Sequence, residues 1–140
     1  MTRLGALVVL AVVGSACGGG GALPGTPSPS SSIAGTWRGT ITFTKPAPQT
    51  VATTWTFTPV AQTSGTTYEV TATWLAVSTR AMTAAVIGSQ FSTSGVYPSP
   101  LGCDGTVGGN GTVDPGKIDT SFGGSSSCDS VFEGHMVLTR

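Results

Sequence analysis

Charged side chains are scarce in this chain. Six Lys and Arg and six Asp and Glu among 140 residues make 9%, with a formal net charge of +0, where globular proteins usually carry about 25%. Without a basic patch or stripe there is no electrostatic footprint for nucleic acid or for an anionic membrane surface. Histidine occurs once, as His135, so a metal centre would lack ligands at suitable spacing. No metal, cofactor or nucleic-acid partner is expected. Long apolar runs are missing as well: the longest, Leu4 to Val13, has about ten residues, roughly half of what a bilayer-spanning helix needs. What is present is 39% apolar residues among many Thr, Ser and Gly, the opposite of the charge-rich signature of disorder. The length suits one domain with accessory segments.

The amino-terminal segment is organised around its first cysteine. Met1-Thr2-Arg3 is a short positive stretch, Leu4 to Val13 is apolar, and Gly14-Ser15-Ala16 are small residues ending at Cys17. This order resembles a bacterial lipoprotein signal. The resemblance implies removal of residues 1–16, lipidation of Cys17 and a membrane-anchored product. Gly14 departs from the pattern, since Leu or Val is commoner three residues before the cysteine. An ordinary signal peptide cut near Ala16 would instead release a free, soluble product. In lipoproteins of this kind an Asp after the cysteine favours inner-membrane retention; here it is Gly18, which implies an outer-membrane address in the cell envelope. Residues 17–32 are rich in Gly, Pro and Ser and without apolar periodicity, the composition of a tether. Treated as a coil, about fifteen such residues span roughly 20 Å on average.

From Ile33 the periodicity becomes two, the signature of half-buried strands. Trp37, Gly39, Ile41 and Phe43 share one face, and Thr36, Arg38, Thr40, Thr42 and Thr44 the other. Lys45-Pro46-Ala47-Pro48 ends this strand, because proline cannot donate to the ladder. Val51, Thr53, Trp55 and Phe57 alternate next, and after a turn over Gln62 to Thr66 so do Tyr68, Val70, Ala72 and Trp74. Threonine on the outward positions suits a pleated surface. Ala81 to Ile87 contains good helix formers but is short and set among Thr, Val and Ile, so a strand is preferred. Gln90 to Thr93 forms another strand around Phe91, and Tyr97-Pro98-Ser99-Pro100 reads as a loop. Asn110-Gly111 and Asp114-Pro115-Gly116 compete as turn signals. Ile118 to Phe122 and Val131 to Thr139 close the chain, with Phe132, Gly134, Met136 and Leu138 inward.

With Cys17 set apart, Cys103 and Cys128 form an even pair in an exported domain, for which a disulfide is the natural reading. About eight short strands with enough large inward side chains for one core make residues 33–140 a small antiparallel up-and-down barrel, with a β-sandwich as the alternative. Closure removes edges that so few charges would not protect.

Gly35-Thr36-Trp37, opening the first strand, resembles the start of calycin-type barrels, the lipocalins and avidin-like proteins. The resemblance implies that Trp37 plugs the closed end and that a late basic residue covers it. Arg140 has the inward parity to do so if the last strand returns beside the first, bringing Thr139 near Thr36; a frayed carboxy terminus is the other reading. Gly39 stands where avidin-like proteins use a polar side chain, so biotin is not expected as a ligand.

No catalytic set emerges. Ser125, Ser126, Ser127, Asp129 and His135 are close in sequence, but there is no Gly-x-Ser-x-Gly elbow and His135 has outward parity. The acidic residues show no recognisable pairing for glycoside chemistry. Gly108 to Asp114 resembles a calcium nonapeptide only superficially, as a single copy with its aspartate one residue late. An enzyme is therefore not expected. Two functions remain: binding of a small apolar or glycan-like ligand inside or at the mouth of the barrel through Trp55, Tyr68 and Trp74, or a structural, protein-interacting role in the envelope. Unfilled interior space would favour the first; a solid core with an exposed apolar patch around Leu75 and Val77 would favour the second.

Overall fold

The computed structural model describes residues 32–61 and 66–140. Cys17, segment 1–16, all of the tether before Ser32, and residues 62–65 of the expected turn lie outside the described residues. The described chain is all β: β1 (Gly35–Lys45), β2 (Gln49–Pro59), β3 (Thr67–Trp74), β4 (Val77–Ser78), β5 (Arg80–Ile87), β6 (Gln90–Pro98), β7 (Asp104–Asp114), β8 (Lys117–Ser126) and β9 (Phe132–Thr139). Each of the long strands pairs antiparallel with its neighbours, and β1 lies between β2 and β9 while β2 also pairs with β3. Eight strands therefore close into a barrel, and β4 is one extra short strand on β3.

The inward residues make a filled core. Trp55, Phe57, Ile41, Val86, Phe91, Ile118, Met136 and Leu138 are all buried, as expected for an eight-stranded barrel whose bore is just wide enough for side chains. Outward positions of β1 and β2 carry threonine, with Thr36 facing Thr56 and Thr42 facing Thr50 at 3.3 Å between hydroxyls. An apolar interior with a hydroxylated exterior inverts the arrangement of a transmembrane barrel, whose outward band is apolar.

Glycine at inward positions lets the strands coil tightly. A Cβ at Gly39 would run into the Val137 carbonyl of β9, and one at Gly111 into the Asp119 carbonyl of β8. Of the two competing turn signals, Pro115-Gly116 joins β7 to β8, with Gly116 at φ 81°, whereas Asn110-Gly111 lies within β7. Proline at the first and glycine at the second central position is the preference of a type II turn.

Three expectations are corrected. Tyr97 and Pro98 belong to β6, not to a loop: Tyr97 is buried opposite Gly105, and Pro98 is tolerated because it is the strand's last residue. Leu75 leaves the strand at a turn, and Val77, assigned to an exposed patch, is buried behind it in β4. Thr139 lies opposite Arg38 in place of Thr36, a two-residue difference in register that preserves parity.

Gly39→Ala is expected to destabilise by about 3 kcal/mol, at the upper end for overpacking, because the obstacle is backbone. Gly116→Ala, which meets open space, should cost only about 1–2 kcal/mol for its left-handed φ. Urea unfolding of both variants measures the difference; equal costs would refute the close approach of β1 and β9.

Candidate ligand-binding mouth

The two ends of the barrel are built differently. At the end where β1 begins, the chain preceding the strand folds across the bore and buries Ile33. The Trp37 indole donates to the Ile33 carbonyl at 2.8 Å, and the Ile33 amide donates to Tyr68 Oη at 3.4 Å. Arg140 lies over the Trp37 ring with Cζ 5.0 Å from the centroid, and its guanidinium donates to the Ala34 carbonyl. This end is plugged.

The opposite end is formed by the β1–β2 turn, the Leu75-Ala76 turn and the segments 99–103 and 127–131. The last two are tied together. Cys103 and Cys128 form a disulfide with Cα atoms 6.3 Å apart, Ser99 Oγ donates to Asp129 Oδ2 at 3.0 Å, and the Leu101 amide donates to Ser99 Oγ at 3.1 Å. Closing a loop of 25 residues contributes about 3 kcal/mol in the chain-entropy account.

Inside this rim lies a cavity of about 210 Å³ walled by Phe43, Trp74, Tyr97 and Phe132, with Leu75 and Pro46 at its edge. The rings interlock: Tyr97 meets Phe132 edge-on at 5.3 Å, Phe43 meets Phe132 at 5.7 Å, and Trp74 meets Phe122 at 5.4 Å. The cavity is open to solvent, and Lys45, Gln49, Asp129 and Ser130 share its lining with the rings, so its volume would admit one ring or a short chain only as a partly exposed guest. Three large apolar side chains stand exposed at the same end: Leu75 at 68%, Leu101 at 69% and Val131 at 52%. Leu75 also has φ 50°, a left-handed conformation that costs energy for any residue but glycine and concentrates at functional sites.

Of the three aromatics assigned to ligand binding, the mouth contains only Trp74. Trp55 is central and fully buried, its indole donating at 2.9 Å to Thr53 Oγ1, which itself donates to the Thr73 carbonyl. Tyr68 is at the plugged end. Tyr97 is the mouth residue that sequence reasoning missed, because the prolines after it suggest a loop; the inward parity of Phe91, Thr93, Gly95 and Tyr97 carries the signal.

A larger depression of about 530 Å³ lies on the outer face over Gly108, Gly123, Ser121 and Glu133. It is shallow and floored by glycine backbone, so a ligand there would stay wet, unlike one in an enclosing site. Nearby, Asp119 pairs with Lys117 Nζ at 2.6 Å and with His135 Nε2 at 2.7 Å. His135 thus faces outward, away from inward Ser126 and from Asp129 on the rim. Among the described residues no three His, Cys, Asp or Glu side chains stand together as a metal site.

Hydrogen bonding from Lys117, with a further contribution from His135, holds the Asp119 carboxyl below its ordinary pKa. Such a group stabilises the fold above its unfolded pKa of about 3.9, and the contribution disappears as pH falls through the lower folded value. Wild type is therefore expected to be more stable than Asp119→Asn at neutral pH, with the gap closing at the acid end of a melting series. At the plugged end, Arg140→Ala should cost about 1 kcal/mol, a melting-temperature fall of about 4–8 °C. An unchanged melting temperature would refute the plug.

Compared with known protein families, curated proteins and solved structures, the chain matches none, and the assignment of the mouth rests on its geometry.

Proposed function

We propose that this chain is a lipoprotein of the bacterial cell envelope, anchored through Cys17 and most simply placed at the outer membrane, whose calycin-like barrel binds a small apolar ligand at its mouth. The carrying observation is the aromatic-walled cavity at the end opposite the plug. Ser32, the first described residue, enters at the plugged end, so a tether from Cys17 would hold that end toward the bilayer and turn the mouth away. Several acyl chains on one cysteine, at about 0.8 kcal/mol per buried methylene, make such an anchor durable. The plug formed by Trp37 and Arg140 supports the calycin-like reading. Outward His135 and the committed indole of Trp55 support binding over catalysis, with the ligand read as lying above the core.

A second reading has its own observation: the exposed Leu75, Leu101 and Val131 around the mouth suit an envelope protein docking on the rim.

Native mass spectrometry of the full chain purified from a bacterial envelope, compared with the denatured sample, tests both readings. Acyl mass on Cys17 is expected to survive denaturation, and a second, smaller excess is expected to vanish with it. A polypeptide of unmodified mass refutes the anchor, bare acylated monomer refutes a retained ligand, and a stable complex with another protein favours rim docking.

A further inference from the structure

The structure sorts the few basic side chains into two groups. Lys45 pairs with Glu133 and Lys117 with Asp119, whereas Arg38, Arg80 and Arg140 form no ion pair among the described residues. Arg38 and Arg140 meet at the plugged end, where they line a depression of about 330 Å³ together with Thr36 and Thr139. All four residues are exposed, so an occupant reaches them directly from outside. No carboxylate side chain takes part in the lining. Two like charges in one depression repel each other, and an anion between them removes that cost.

The ladder brings the two guanidinium groups together. Arg38 lies opposite Thr139, the residue before Arg140. Arg140 is held by the plug, stacked over Trp37 and donating to the Ala34 carbonyl. A guanidinium carries five N–H donors in a fixed fork, so most of them are left for another acceptor. The Arg38 carbonyl accepts from Thr139 Oγ1 at 3.4 Å, while its guanidinium has no hydrogen-bond or ion-pair partner among the described residues. One fork is thus fixed and the other is free to close on an anion. Such forks match the paired oxygens of a phosphate group.

The depression adjoins the point where the chain enters the barrel. The Ala34 amide donates to Ser32 Oγ at 3.4 Å, and the Ala34 carbonyl is the group that Arg140 covers. Taking Cys17 as the membrane anchor, as argued above, a span of roughly 20 Å to Ser32 keeps this end within reach of lipid headgroups. We propose that the depression between Arg38 and Arg140 binds the phosphate of an anionic phospholipid headgroup and so docks the plugged end on the membrane surface. Charge composition alone argues against an anionic surface as a partner, but these two arginines, far apart in sequence, meet through the β1–β9 ladder.

The test follows the Arg140 side-chain NMR resonance of the full chain in nanodiscs of digalactosyldiacylglycerol, which carries no phosphate, as phosphatidylglycerol is added. The resonance is expected to shift. Arg38→Gln, which leaves the plug intact, should need about fivefold more phosphatidylglycerol, the share of one basic residue at an anionic surface. Arg80→Gln, in a residue that begins β5 away from the depression, should behave as wild type. No shift with phosphatidylglycerol would overturn the proposal. Equal weakening in Arg80→Gln would reduce the response to net charge and overturn the site. A shift with inorganic phosphate but not with phosphatidylglycerol would overturn the lipid as its source. The denatured mass of the same sample reads acylation of Cys17 separately. An acylated chain without the shift refutes docking but not the anchor, and an unacylated chain that still shifts refutes the anchor but not the site.

Discussion

The structure depends on closing eight strands around side chains too large for a uniform wall. Glycine takes up the difference, and it does so on particular strands. A Cβ at Gly105 would overlap the Tyr97 ring, one at Gly124 would meet the Phe132 ring, and one at Gly95 would strike Met82. Tyr97, Phe132 and Met82 thus each lie over a glycine of an adjacent strand, so at these positions bulk on one strand is matched by its absence on the next. Close packing of this kind penalises both added and deleted volume.

From that constraint follows the division of the barrel into a plugged end and an open one. Ile33, Trp37, Tyr68 and Arg140 satisfy one another at the first end, and the indole, the tyrosine hydroxyl and the guanidinium all have partners there. At the other end Phe43, Trp74, Tyr97 and Phe132 cap the filled core and floor a cavity open at the rim, and a phenol hydroxyl is left without a partner among the described residues. Polar satisfaction is nearly complete at the plugged end and less so at the end where the cavity opens.

Much of this was legible in the residues. Alternation over Trp37 to Phe43, Val51 to Phe57 and Tyr68 to Trp74 identifies three strands and their inward faces, because large apolar side chains keep to one parity even where a threonine, Thr53, joins them. The Cys103 and Cys128 pairing needed only an even count. The mouth was much less visible. Tyr97 sits beside Pro98 and Pro100, and local turn chemistry argues against a strand until the ladder with Asp104 and Gly105 is known. Trp55, Tyr68 and Trp74 share parity, but parity says nothing about height along the bore, and height decides which of them reaches the mouth. β4 was invisible for a related reason: a two-residue strand after the turn at Leu75 has no period to read.

The rigidity of the rim bears on what the mouth can do. Two loops joined by a disulfide and by the Ser99–Asp129 hydrogen bond are already ordered before anything binds. Ordering flexible loops on association is among the larger costs of binding, so a preformed rim lets a cavity of modest size hold a ligand with few contacts. The same rigidity would narrow what could enter, since walls fixed by interlocked rings and underlying glycines have little freedom to repack.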